Sequence, residues 1–224
     1  MKRSEINAIM RDTESFLAAQ NFHLPPFGRW TAEDWAGKGD EIAEIVDHKL
    51  GWDITDFGRG DFRACGLVLF TIRNGAPENV KAATGKTYCE KVAVIERDQQ
   101  CPAHFHWVKV EDIINRGGGT LAIQLHNANE DGSFAESDVT VSMDGVRRTF
   151  AAGETVLLDA GESITLMPYC YHRIWGQDGC VLFGEVSVVN DDAADNRFHE
   201  PVGRFPEIEE DEPPYRLLVG DYGR

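Results

Sequence analysis

His104 and His106 stand two residues apart in the stretch Pro102-Ala103-His104-Phe105-His106-Trp107-Val108-Lys109-Val110-Glu111. On an extended strand alternate side chains share a face, so the two imidazoles point the same way, about 7 Å apart along the chain. Both can then reach one cation at the ~2.0–2.2 Å that metal–nitrogen bonds require. Glu111 lies an odd number of residues beyond His106, and a regular strand would aim it at the opposite face. A bulge, or a bend where the strand ends, has to bring it back. His172, in Pro168-Tyr169-Cys170-Tyr171-His172-Arg173-Ile174-Trp175-Gly176, is available as a fourth ligand from a neighbouring strand. Imidazoles joined by one carboxylate suit manganese, iron, cobalt, nickel or zinc better than magnesium or calcium. Such a ligand set leaves coordination positions open for substrate oxygens. An isolated H-x-H in a strand is most often incidental. Here Glu111, the run Gly117-Gly118-Gly119 and the Pro168 to His172 spacing turn the reading toward one bound divalent ion. His23, His48, His126 and His199 have no such company and read as surface or hydrogen-bonded residues.

The elements that must position these groups are short strands. From residue 61 onward the expected strands are 67–72, 91–96, 104–110, 120–125, 139–142, 147–150, 155–158, 163–167 and 181–189. Asp144-Gly145 is a hairpin signal between two of them, and Asp159-Ala160-Gly161-Glu162 is a second turn. Strands at this spacing imply a mainly β fold, a jelly roll or related antiparallel barrel. Residues 1–60 read as a helical preface. Ser4 is the expected N-cap of an amphipathic helix carrying Ile6, Ile9, Met10, Phe16 and Leu17 on one face. Thr31 and Asp34 form a capping-box variant before a second, looser helical stretch. The preface is expected to pack on a barrel spanning 61–224 as one structural domain, with the acidic, proline-containing tail from Asn190 wrapping the surface as an arm.

The ligand spacings resemble the two motifs of the cupin family. The first reads His104, His106, Glu111 and Gly118, and the second reads Gly161, Pro168 and His172. One position departs: six residues before His104, where the motif has Gly, this chain has Asp98. Over essentially its whole length the chain also resembles bacterial D-lyxose isomerases. The matching stretches include Met1 to Asn7, Gly51-Trp52-Asp53-Ile54-Thr55-Asp56-Phe57-Gly58, Leu69 to Gly75, Lys86 to Lys91, Glu111 to Gly119, Gly184-Glu185-Val186-Ser187 and Asn190-Asp191-Asp192. The resemblance implies interconversion of D-lyxose and D-xylulose, often with D-mannose and D-fructose as a second pair. It also implies manganese or a similar ion (zinc, cobalt, iron or nickel being alternatives) and a homodimer.

Aldose–ketose isomerisation moves a proton between C1 and C2, so it needs a base and something to stabilise the developing oxyanion. Glu185, a carboxylate in the apolar strand Val181-Leu182-Phe183-Gly184-Glu185-Val186-Ser187, is the expected base, with a pKa raised by its surroundings. Glu200, in the tail, is a second candidate. Lys109, between two ligands, is a candidate oxyanion stabiliser or proton donor, with a solvated strand-edge lysine as the plain alternative. Tyr88 and Lys91, and from the tail Asp192 and Arg197, are candidates to line the sugar pocket. The same ligands could serve an oxygen-activating cupin, a phosphosugar isomerase or a non-catalytic sugar-binding cupin.

Composition narrows the partners. Against 38 Asp and Glu there are 22 Lys and Arg, a formal net charge of -16. That balance argues against a nucleic acid or an anionic membrane surface. The five cysteines are odd in number and lack C-x-x-C spacing, which fits reduced, buried thiols. Met1-Lys2-Arg3 is followed by no apolar stretch, so a cytoplasmic location is expected.

Overall fold

The computed structural model describes residues 1–191, 194–203 and 207–223. Chain order is α1 (Arg3–Ala19), α2 (Ala32–Ala36), α3 (Ala43–Asp47), β1 (Gly51–Thr55), β2 (Leu67–Arg73), α4 (Pro77–Ala82), β3 (Tyr88–Ile95), β4 (Gln100–Phe105), β5 (Glu111–Gly118) and β6 (Leu121–Asn127). There follow β7 (Val139–Met143), β8 (Val146–Phe150), β9 (Thr155–Leu158), β10 (Ser163–Leu166), β11 (Cys170–Gly176), β12 (Val181–Val188) and β13 (Arg197–Phe198).

The strands pair into an eight-stranded sheet, β1-β2-β3-β12-β5-β10-β7-β8, and a five-stranded sheet, β13-β4-β11-β6-β9. Every pairing between named strands is antiparallel. Inward residues of both sheets, among them Leu67, Ala93, Ile95, Ile113, Ile123, Leu125, Ile164, Ile174 and Phe183, form one core. The outer face of the larger sheet is also buried over β1, β2, β3 and the Leu182 end of β12, because Ile6, Met10 and Leu17 of α1 pack on Trp52, Ile54, Val68, Phe70, Val92, Val94 and Leu182. Burial on both faces is why β2 and β3 read as continuous apolar runs instead of alternating.

The Asp144-Gly145 hairpin forms with both residues at positive φ (49° and 80°), the geometry a two-residue turn demands. Thr31 caps α2 with the reciprocal Asp34 bonds expected. Ser4, by contrast, caps nothing. The N-cap lies two residues earlier, at Lys2, and Ser4 instead donates its backbone N–H and its hydroxyl to Asp211 of the tail. Arg3, almost fully buried, spans Glu210 and Asp221, so the first helix and the C-terminal arm clasp each other. Residues 51–55, expected within a helical preface, are instead β1, the edge of the larger sheet.

The expected strand 104–110 also differs. It starts at Gln100 and stops at Phe105, and a new strand starts at Glu111. The motif departure at Asp98 is accommodated without glycine: Asp98 adopts φ 60°, the left-handed region that Asp tolerates better than most residues. Gly118 is required. At φ 94°, a Cβ there would lie 2.2 Å from the carbonyl oxygen of Cys180.

Candidate active site

His104 lies near the end of β4 and faces His172 directly across the β4–β11 ladder. His106 lies just past the strand, and Glu111 opens β5 opposite Leu166 and Ser187. The turn between β4 and β5 therefore solves the parity problem of Glu111, by ending one strand and beginning another. The strand β5, which carries Glu111, was not expected, whereas His172 does come from a neighbouring strand, β11.

Each histidine uses Nδ1 on a backbone carbonyl: His104 on Pro102 at 2.8 Å, His106 on Asp195 at 2.9 Å and His172 on Cys170 at 3.1 Å. A carbonyl can only accept, so each Nδ1 carries the proton and each neutral ring presents a bare Nε2 lone pair. The three nitrogens lie within 4.8 Å of one another. His104 Nε2 and His172 Nε2 are only 3.0 Å apart. Glu111 Oε1 sits 3.3 Å from His106 Nε2 and 3.2 Å from His172 Nε2. Among the described residues, the buried His106 Nε2 and Glu111 Oε1 have no hydrogen-bond partner.

The short His172–Glu111 distance is not an ion pair. Burial, then the neighbouring His172 and His106, hold His104 well below its ordinary pKa. Burial also pulls His172 down to about 4, against the attraction of Glu111. Glu111 resists burial and is held well below the usual carboxylate range by Lys109 and His106. Neutral imidazoles and an ionised carboxylate turning lone pairs on one point repel unless a cation lies among them. The donor set fits a divalent transition ion, with Nδ1–H bonds of the kind that fix metal-bound histidines.

Beside this cluster is a second set of charges. Lys109 is 3% exposed rather than solvated at a strand edge. Its ammonium donates to Glu185 Oε1 at 2.8 Å and Asn190 Oδ1 at 3.4 Å, and sits 2.7 Å from Glu111 Oε2. Burial opposes its charge, but Glu111 and Glu185 reverse that and raise its pKa. Glu185 stands opposite Lys91 on β3, with Lys91 Nζ at 3.7 Å. The expected raised pKa of Glu185 is thereby corrected. Burial alone would lift it, but Lys109 and Lys91 lower it below the ordinary value, so the carboxylate is ionised at neutral pH. Lys91 is shifted down by burial, opposed by Glu185.

The cavity, about 80 Å³, is lined by His104, His106, Glu111, His172, Lys91, Lys109, Glu185, Phe183 and Phe198, among others. It shares Asp53, Asn196 and Phe198 with a wide outer groove. Several expected residues lie elsewhere. Tyr88 is 45% exposed; it lies three residues from the inward-facing Lys91, which by strand parity puts it on the outer face. Arg197 stands opposite Phe105, on the outer side of β4, near the Tyr171 ring. Its neighbour Phe198 pairs with His104 and puts its ring 5.2 Å from that imidazole. Glu200 is exposed and paired with Arg59 at 2.8 Å. None of these three lines the cavity. Asp192 lies outside the described residues. Asp195, Asn190 and Phe198 were missed as site residues: β13, which carries Phe198, is two residues long and shows no periodicity to read, and the contacts of Asp195 and Asn190 in the site are with residues 81 to 89 positions away.

A family model described as D-lyxose isomerase matches residues 1–222. The chain belongs to the D-lyxose isomerase family. This family comprises sugar isomerases, intramolecular oxidoreductases that interconvert an aldose and a ketose. A D-lyxose/D-mannose isomerase of Serratia proteamaculans is 49% identical over 227 residues, covering 100% of this chain and 99% of the relative. A protein of the same name from Escherichia coli O157:H7 is 46% identical, covering 99% and 98%. The fold is also that of solved L-ribose isomerases. The Acinetobacter sp. DL28 enzyme in complex with L-ribose aligns with a TM-score of 0.56 at 16% identity, over 89% of this chain and 93% of that one. The ligand-free Cellulomonas parahominis enzyme gives 0.57 at 16% identity, over 93% and 98%. The cupin architecture expected from the motifs is thus the architecture of this sugar isomerase.

Proposed function

We propose that this enzyme interconverts D-lyxose and D-xylulose, and D-mannose and D-fructose, by moving a proton between C1 and C2 through an enediol. One observation carries the reading: an ionised carboxylate, Glu185, clamped at 2.8 Å by the buried ammonium of Lys109, borders a point where three Nε2 atoms and Glu111 converge. His104, His106, Glu111 and His172 would hold one divalent ion, manganese in the first instance, and that ion supplies Lewis acidity toward the sugar oxygens. Glu185 takes the proton from one carbon and returns it to the other. Its ionised state at neutral pH leaves it ready to accept. Lys109 holds Glu185 in place and offers N–H groups to an oxygen on which negative charge develops. Lys91 adds a second positive charge on the far side of the carboxylate. Phe183 and Phe198 keep the inner cavity apolar apart from these groups. The narrowness of that cavity favours entry of one end of an open-chain sugar, with the remaining hydroxyls in the groove.

Charge favours an unphosphorylated substrate. The groove is lined by Asp47, Asp53, Glu78, Asp191, Glu207 and Asp221, with Lys49 as its lysine among the described residues. A sugar phosphate would meet carboxylates there. A homodimer, resting on resemblance to the family, and a cytoplasmic setting complete the proposal; no described helix is long and apolar enough to cross a membrane.

The test is an isomerase assay. Protein stripped with chelator is incubated with D-lyxose and, separately, D-mannose, with and without manganese, and ketose is measured. Manganese-dependent D-xylulose is the expected product. One metal per chain with no ketose from either sugar would overturn the isomerase assignment and send attention to oxygen consumption. In heavy water, solvent deuterium in the product supports the enediol route, and its absence would indicate a hydride shift.

A further inference from the structure

Two of the three ligand histidines are held by their own strands. Pro102 and Cys170, which accept the Nδ1–H of His104 and His172, lie two residues before the rings they hold. His106 is different. Its acceptor is Asp195, 89 residues away in the C-terminal arm. The same residue also reaches the next part of the turn. Its Oδ1 accepts the backbone N–H of Val108 and its Oδ2 that of Lys109, both at 2.9 Å. Residues 106–110 lie between β4 and β5, outside any ladder. Besides Asp195, hydrogen bonds from the N–H of Tyr169 to the carbonyl of His106 and from the N–H of Val188 to that of Val110 tie this turn down. Asp195 is itself 7% exposed, and its N–H donates to the carbonyl of Asp191 at 2.9 Å.

We propose that Asp195 is a positioning residue of this active site, which fixes the ring of His106 through its carbonyl and the backbone of Lys109 through its carboxylate. It does not line the cavity. The carboxylate bonds to Val108 and Lys109 seat this part of the arm and with it the backbone carbonyl; once that carbonyl is no longer held against the ring, His106 is free to carry its proton on Nε2, which removes the lone pair that faces Glu111. Without its carboxylate, the buried N–H of Lys109 and the half-buried N–H of Val108 lose their acceptor and the turn relaxes. The ammonium of Lys109 then no longer arrives between Glu111 and Glu185. The arm thus completes the site from outside the barrel. The catalytic part of this inference rests on the proposed isomerase reaction; the part concerning His106 does not.

The test uses the full chain, first in chelator. Long-range proton–nitrogen spectra of uniformly labelled protein report which ring nitrogen of each histidine carries the proton. The parent should show Nδ1–H at His104, His106 and His172. Asp195→Ala keeps the backbone carbonyl but removes the carboxylate that seats it, so His106 alone should lose that single form. Manganese affinity, followed by the electron paramagnetic resonance of the free ion, should fall by about 10- to 100-fold, as for partners of metal-bound histidines. Asp195→Asn keeps one acceptor oxygen for two N–H groups and should show a smaller loss, and it carries the test if the alanine variant does not fold. Arg59→Ala, which frees Glu200 without touching Asp195, should leave affinity unchanged. Unaltered His106 tautomer and manganese affinity in Asp195→Asn and Asp195→Ala would overturn the proposal, as would an equal loss in Arg59→Ala. A parent enzyme that makes no ketose would sink the isomerase reading while leaving the His106 result to stand.

Discussion

Lys91, Lys109, Glu111 and Glu185 form a buried cluster in which two positive charges balance two negative ones. Lys109→Met keeps the length of the stem but removes the charge that lies 2.7 Å from Glu111 and 2.8 Å from Glu185. Two carboxylates then share one remaining ammonium, Lys91, which is 3.7 Å from Glu185. Removing one partner from a buried ion pair costs about 3–5 kcal/mol, because the other charge is left desolvated. For a chain of this length that corresponds to a fall in Tm of roughly 6–20 °C, at about 2–4 °C per kcal/mol. The measurement is thermal or urea unfolding in chelator, since a bound cation would partly replace the missing charge beside Glu111. Glu185→Gln leaves the opposite excess, and the double variant restores the balance with Lys91 and Glu111. The double should therefore be more stable than the summed single effects, by about 0.5–3 kcal/mol for groups in contact. A Lys109→Met protein as stable as the parent, or strict additivity, would refute the idea that these four charges act as one unit.

Glu185→Gln should lower kcat by about 10²- to 10⁴-fold, the range for a lost general base, with metal content unchanged; normal turnover would remove the base assignment. In chelator, stability should fall as pH drops from about 6.5 toward 4. In that window the unfolded histidines bind protons, whereas folded His172, pulled down to about 4, and His104 do not. Unfolding followed from pH 7 to 4 checks this, and His172→Asn should flatten the slope. His172→Ala should abolish stoichiometric metal binding, read by elemental analysis, and a full complement of metal would contradict the ligand set. Asp98→Gly should be tolerated because φ there is 60°, whereas Asp98→Val should cost about 1–2 kcal/mol by placing a branched side chain in the left-handed region.

What the sequence determined by itself was the class of fold and which four side chains converge as a candidate donor set. His104-x-His106, Glu111 and His172 are close enough along the chain, or repeated in motif, for spacing to identify them. Turn residues such as Asp144-Gly145 marked strand boundaries, since positive φ is a local demand. The direction of Glu185's pKa was not local. Its strand neighbours are apolar and suggest a raised value, but Lys109 and Lys91 arrive from β5's leading turn and from β3, and the tertiary fold alone puts them beside it. The same holds for Tyr88 and Arg197, whose facing is set by strand parity: one residue on from Arg197, Phe198 looks inward at His104. Asp195 was invisible because its bonds to His106, Val108 and Lys109 span 86 to 89 residues. Sequence spacing shows which groups can share a strand face. Which face meets the cavity, and which distant charge stands opposite, is decided only when the sheets and the arm close on one another.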